Sequence, residues 1–203
     1  MGLFITFEGI DGAGKSTQAA LLKTYLDEKG VESILIREPG GTEVGEKLRA
    51  IIKDKANKID HITEVYLFAT ARAQLVREVI KPALKENKIV ICDRFVQSSL
   101  VYQGVARGLS QEVVAKINEV AIDGLAPDVT FFVEVPPSTT QERKEIGELD
   151  RIEQEGNDFI KKVHAGYKKM IEDDDKKTIV IINGKLPKEQ VHEQIKKQIN
   201  QFI

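Results

Sequence analysis

Short apolar runs alternate along the chain with longer stretches whose apolar residues recur at helical spacing. The runs Leu3–Phe7, Ser33–Arg37, Lys88–Cys92, Val129–Val135 and Thr178–Ile182 are rich in Ile, Val and Phe and show little polar alternation. That pattern predicts strands buried on both faces of a parallel sheet. Amphipathic stretches lie between them. Ser16–Lys29 carries Ala20, Leu21, Tyr25 and Leu26 at helical spacing. A longer stretch, Ile62 to Glu86, carries Val65, Phe68, Ala69 and Leu75, and Pro82 is predicted to kink or end it. Ser110–Asp123 opens on a residue suited to an N-cap. Pro187–Gln201 starts with proline and places Val191, Ile195, Ile199 and Phe202 along one helix. Strands separated by helices, with no repeat and no Gly/Ser linker, predict one doubly wound α/β domain over residues 1–203. Ligands of such a fold gather at the carboxyl ends of the strands.

Composition narrows the function classes. A formal net charge of -2 gives no electrostatic reason to expect nucleic-acid or membrane partners. No apolar run approaches the length of a membrane span. Gly2-Leu3-Phe4-Ile5-Thr6-Phe7-Glu8 lacks a basic n-region and a small-residue cleavage site, so it reads as a buried strand rather than a signal peptide. Cys92 is the only cysteine and no internal disulfide can form, which fits a reducing cytoplasm. Within Ile-Val-Ile-Cys it reads as a small core hydrophobe. The charge run Glu172–Lys177 reads as a solvated helix end and turn.

The chemistry enters with Gly9-Ile10-Asp11-Gly12-Ala13-Gly14-Lys15-Ser16, which fits G-x-x-x-x-G-K-[ST] at every fixed position and is followed by Thr17. An apolar strand precedes it and an amphipathic helix follows. The glycines let successive backbone N–H groups surround phosphate oxygens, and the helix adds its positive end. Lys15 can reach the β- and γ-phosphates, and the Ser16 hydroxyl can ligate Mg²⁺. Residues 9–17 therefore predict a P-loop binding ATP.

Two literal matches point toward a guanine-nucleotide switch and fail on context. Asn57-Lys58-Ile59-Asp60 follows a helical stretch instead of a strand, and Asp27–Gly30 closes the first helix. Other groups sit at the ligand edge. Arg37-Glu38 ends the second strand, and Asp93-Arg94 ends the third. Asp93 is placed as a Walker-B acid, holding Mg²⁺ or its water. Arg37 and Arg94 can neutralise phosphates bidentately. Each could also be a structural ion pair; three cations (Lys15, Arg37, Arg94) at one sheet edge favour a site.

Further segments carry a resemblance. Phe7–Thr17, Arg37-Glu38-Pro39-Gly40-Gly41-Thr42, Leu67–Arg72, Asp93-Arg94-Phe95, Ser98–Gly104 and Glu148–Glu153 appear in the order found in the bacterial thymidylate kinases, a group of P-loop nucleoside monophosphate kinases. The similarity spans nearly the whole chain. It implies a P-loop NTPase fold with a five-stranded parallel sheet, helices on both faces and a short lid at about 138–151. It implies transfer of the γ-phosphoryl group of MgATP to dTMP, with ATP and Mg²⁺ required, in a cytoplasmic homodimer whose interface the Ile62–Glu86 helix could supply. The alternatives are another nucleoside monophosphate or small-metabolite kinase, and, from a different class, a nucleotide-dependent switch protein.

Residue by residue, the resemblance implies that Phe68 stacks on thymine and Arg72, one helical turn on, bonds its O4. Ser99 and Gln103 face the N3 and O4 edge, and Tyr102 packs near the sugar. Arg37, Arg94 and Arg49 hold the acceptor phosphate, although Arg49 also reads as a solvated helix face. Asp11 lies near the sugar 3′-hydroxyl or engages a lid arginine. Glu38 positions Mg²⁺-bound water or Arg37. Asp11-Gly12 marks the branch in which a lid arginine supplies the catalytic charge. Ile146 departs from that pattern where a basic residue is common. The expected lid cation is Arg151 first and Arg143 second, the latter alternatively stacking on adenine. An acceptor phosphate is already a nucleophile, so positioning and charge neutralisation suffice and no general base is needed.

Overall fold

The computed structural model describes residues 2–139, 149–175 and 177–203. Its sheet contains β1 (Leu3–Glu8), β2 (Ser33–Arg37), β3 (Ile89–Asp93), β4 (Val129–Glu134) and β5 (Ile179–Asn183), all parallel, in the order β2-β3-β1-β4-β5. The predicted strands are recovered within one residue at each end. Alternate side chains serve opposite faces, as the strand period of two requires. Ile5, Phe7, Ile89 and Ile91 join the core under the helices of one face, while Phe4, Val90 and Cys92 join the core of the other. Burial on both faces holds for β1, β3 and β4 but not for the edges. Leu35 on β2 is 39% exposed and Ile181 on β5 is 52% exposed, because each edge strand lacks a neighbour on one side and full helix cover.

The parallel strands are joined by helical crossovers, as parallel pairing requires. α1 (Lys15–Glu28) buries Ala19, Leu22 and Leu26, and ends before Gly30 at φ 68. α2 (Glu43–Lys53) is capped by Thr42, whose Oγ1 accepts from Gly45 N at 2.9 Å. α3 (His61–Leu75) is capped by Asp60, so the Asn57–Asp60 match is a loop with a helix cap. The predicted long helix is continuous but not uniform. A π-turn at Val76–Ile80 separates α3 from α4 (Lys81–Lys85). Pro82 then falls in the first turn of the resumed helix, where a missing N–H costs little.

After β3, α5 (Val96–Ser99) runs into a second π-turn, Leu100–Ala106. α6 (Gln111–Ile122) has Ser110 as its N-cap, as expected. α7 (Gly156–Glu172) and α8 (Lys188–Ile199) complete the layers. Parallel register sets Asp93 beside both Phe7 and Arg37, so the carboxyl ends of β1, β2 and β3 open onto one space. Among the described residues no helix is long and apolar enough to cross a membrane.

Candidate active site

That space is a cavity of about 550 Å³, within the range of small-molecule sites. The phosphate loop forms one wall. Gly9, Gly12 and Gly14 all adopt positive φ (138, 76 and 97). A Cβ at Gly9 would come within 2.7 Å of the Val133 carbonyl oxygen, so the loop can leave β1 here only as glycine. Lys15 is buried and its Nζ donates to Ile10 O at 2.8 Å, folding back across the loop. Burial, followed by the charge of Arg94, lowers the Lys15 pKa to about 8, although Asp11 and Asp93 oppose the shift.

Ser16 Oγ donates to Asp93 Oδ2. Asp93 Oδ1 is buried without a hydrogen-bond partner among the described residues, and so is Glu38 Oε1. Glu38 is tied to Asp93 through its backbone, Glu38 N donating to Asp93 O at 3.0 Å. A hydroxyl and two orphaned carboxylate oxygens beside a phosphate loop are the hard oxygen donors Mg²⁺ takes.

The acceptor side is cationic. Arg94 has φ 74, a strained conformation for a side chain of its size. Its backbone N donates to Phe7 O at 3.0 Å. Its guanidinium donates to Asp11 Oδ1 at 2.6 Å, Gly9 O at 3.2 Å and Ser98 Oγ at 3.0 Å, and lies 5.0 Å from the Tyr102 ring centroid. Asp11 also accepts from the Tyr102 hydroxyl at 2.9 Å. Among the described residues Asp11 therefore engages Arg94 and Tyr102. Arg37 pairs with Glu46 at 3.0 Å, and Glu38 pairs with Arg72, so Glu38 does not position Arg37. The reason is topological: Arg37 closes β2 toward α2, whereas the next side chain turns inward to α3. Arg49 is half-buried, lines the cavity and donates to Pro39 O at 2.8 Å, which removes its reading as a solvated helix face.

The thymidylate kinase family model matches residues 7–195. A thymidylate kinase from Finegoldia magna is 49% identical over 194 residues, covering 95% of each chain. One from a Thermoanaerobacter species is 48% identical over 202 residues, covering 100% of this chain and 99% of the relative. One from Kosmotoga olearia is 46% identical over 197 residues, covering 97% and 94%. The chain belongs to the thymidylate kinase family.

In this member of the family, α3 and the second π-turn build the floor of the cavity. Phe68 and Arg72 lie one turn apart and both line it, as do Ser99, Tyr102 and Gln103. Arg72 is 1% exposed and every one of its N–H groups has a partner. Nε and Nη2 donate to Glu38 Oε2 at 2.8 and 2.5 Å, Nη2 also to Phe95 O at 3.2 Å, and Nη1 to Ser99 Oγ at 3.1 Å and to Asn118 Oδ1. A bond from Arg72 to a base oxygen has to share one of these donors.

Arg151 is placed differently from the expected lid cation. It does not line the cavity: Nε donates to Ile52 O at 2.7 Å and Nη2 to Glu64 Oε2 at 2.6 Å. Lys53 meets Asp150 at 2.7 Å beside it. In this conformation Arg151 ties the end of the lid segment to α2 and α3 through Ile52 O and the buried Glu64 carboxylate. Arg143 lies outside the described residues.

Three residues of the site escaped the sequence reading. Glu8 accepts Phe95 N at 2.9 Å, Ser98 N at 3.3 Å, Ser98 Oγ at 2.6 Å and the Tyr167 hydroxyl at 2.7 Å. Glu64 and Asn118 are fully buried on α3 and α6. Glu64 had a local signal, since it stands four residues before Phe68 and eight before Arg72 on one helical stripe. Asn118 had none.

Proposed function

We propose that this chain transfers the γ-phosphoryl group of MgATP to dTMP, giving dTDP and ADP. Membership of the thymidylate kinase family supports the reaction. The observation that carries it to these residues is one cavity joining the phosphate loop, Arg37, Arg49 and Arg94 to the Phe68, Ser99 and Gln103 floor. Residues 9–17 hold the ATP phosphates. Ser16, Asp93 and Glu38 are the residues that would hold Mg²⁺ or its waters, and the ion would supply neutralisation of the charge that develops on the transferring group. Lys15 and Arg94 stabilise the charge of the transferring group, Arg37 and Arg49 orient the acceptor phosphate, and Tyr102 with Asp11 fixes Arg94. Arg143 is the remaining lid candidate for a further cation.

ADP release from MgATP with dTMP, dUMP, dCMP, dGMP, AMP or no acceptor tests the reading. Strong stimulation by dTMP is expected. Stimulation by another nucleotide alone would retain the phosphate sites and overturn the base floor.

The chain is read as one cytoplasmic kinase domain with a lid at about 138–151, acting as a homodimer. Exposed apolar side chains on adjacent helices support the last point: Ile62 and Tyr66 on α3, Val113 and Val120 on α6, and Val44 and Ile51 on α2. Size-exclusion chromatography with light scattering should give twice 22.7 kDa; a monomer overturns it.

A further inference from the structure

We propose that Glu64 sets the base specificity of the acceptor site by holding the Gln103 amide in one orientation. The inference rests on the dTMP reading above and adds to it the group that decides which face of Gln103 a base meets.

Gln103 is 2% exposed and lines the cavity floor. Its Nε2 donates to Glu64 Oε1 at 2.9 Å. A carboxylate can only accept, so the amide must turn its NH₂ toward Glu64 and its carbonyl Oε1 away. Glu64 itself cannot yield. It is fully buried, accepts Arg107 Nε and Nη2 at 3.3 and 3.2 Å, and accepts Arg151 Nη2 at 2.6 Å. Arg107 is held from its far side by Glu155 and lies 4.9 Å from the Phe159 ring centroid. Burial would raise the Glu64 pKa, but the Gln103 hydrogen bond and the two arginines outweigh it and hold the carboxyl below its ordinary range. The acceptor that orients Gln103 is therefore ionised at neutral pH.

The polar inventory of the floor gives this orientation its consequence. Arg72 has all its donors engaged within the protein. Gln103 keeps Oε1 and the second N–H of Nε2 without partners among the described residues. An acceptor beside a donor complements the N3–H and O4 of thymine or uracil. It opposes cytosine, whose N3 is a lone pair and whose position 4 carries an amino group. A Gln103 flipped to suit cytosine would press its carbonyl oxygen against the Glu64 carboxylate in a buried site, which leaves two acceptors without protons. Buried polar mismatches of this kind discriminate more strongly than apolar fit.

The test is kcat/KM for dTMP and for dCMP in the full chain, its E64Q variant and its E64D variant, with thermal melts to establish folding. The amide that E64Q introduces offers both a donor and an acceptor, so either orientation of Gln103 finds a partner. The dTMP:dCMP ratio is expected to fall by about tenfold or more in E64Q. E64D keeps the charge that Arg107 and Arg151 require but withdraws it from Gln103, and a smaller fall is expected. It decides the matter if E64Q does not fold. A purely structural Glu64 would lower both activities and leave the ratio alone. A ratio within twofold of wild type in the folded variants overturns the proposal and leaves the kinase assignment standing. A wild-type chain with no preference for dTMP over dCMP overturns both.

Discussion

The hydroxyl of Ser16, in the first turn of α1, donates to the carboxylate of Asp93, at the end of β3. The contact joins the phosphate loop to the neighbouring strand and leaves Asp93 Oδ1 buried without a partner among the described residues. Such an orphan is costly unless a cation or its waters complete it. Asp93→Asn keeps shape and removes charge. It should lower kcat by about a hundredfold or more and raise the Mg²⁺ concentration needed for half-maximal rate. A magnesium titration of wild type and variant checks this. An unchanged midpoint would detach Asp93 from the metal.

Arg72 and Glu38 form a buried ion pair, 1% and 3% exposed at their side chains. Removing one partner leaves a charge in a low-dielectric site, a change that typically costs about 3–5 kcal/mol. Arg72→Met should therefore lower the melting temperature by roughly 10 °C for a chain of this size. The pH dependence follows from Glu38. Burial already pushes its carboxyl above the ordinary value of 4.5 while Arg72 pulls it down. Without Arg72 it rises further. A carboxylate with a raised folded pKa binds its proton more tightly in the native state, so the variant gains stability as pH falls toward 4.5 and loses it as pH rises through the folded value. Wild-type and variant melts between pH 5 and 8 should converge at the acid end. Parallel curves would show that Glu38 is not the uncompensated group.

Glu8 acts on the acceptor site through the loop it fastens. It holds Phe95 N, Ser98 N and Ser98 Oγ, the segment that follows Arg94 with its positive φ. Glu8→Gln retains a carbonyl acceptor but confronts the Tyr167 hydroxyl and Ser98 Oγ with an amide. The loosened loop should raise KM for dTMP by about tenfold, because a displacement near 1 Å is enough to weaken a phosphate clamp. KM for ATP should stay near wild type. A rise in both constants would mean that Glu8 supports the whole sheet edge rather than Arg94.

Much of this architecture was legible in the sequence because it is local. The β2 pattern predicts Ser33–Arg37 to the residue, and Ser110 caps α6 as its side chain suggests. Gly9, Gly12 and Gly14 take the positive φ values that a phosphate loop needs. What escaped depends on residues far apart in the chain. Glu38 could have turned to Arg37 one residue away, yet it meets Arg72, 34 residues on, because α3 packs its buried stripe against the end of β2. Arg151 carries the right charge in the right segment, but a buried carboxylate 87 residues earlier claims it. Charge and spacing name the candidates for a cationic site. Where each of them turns is decided by the buried acids that compete for it, and one of those acids, Glu64, reads as an ordinary helix residue in the sequence.

Lys15 offers a pH test of the phosphate loop itself. Its ammonium is buried beside Arg94, and its pKa is lowered from 10.5 to about 8. Bound β- and γ-phosphates supply the negative charge it lacks, so ATP binding should raise that pKa. Linkage then sets the sign: below about pH 8 the lysine is already protonated and affinity is flat, whereas above it binding requires proton uptake and affinity falls by up to about tenfold per pH unit. Phosphate titration, near pH 6, lies outside this window. Calorimetric titration of MgATP between pH 7 and 9.5, in buffers of different ionisation enthalpy, should show weakening and proton uptake beginning together near pH 8. Lys15→Arg keeps its charge throughout the range, so its affinity should be weaker at pH 7 but level to pH 9.5. A wild-type affinity that stays level to pH 9.5 would place the Lys15 ammonium in a better-solvated position than the one folded over Ile10 O.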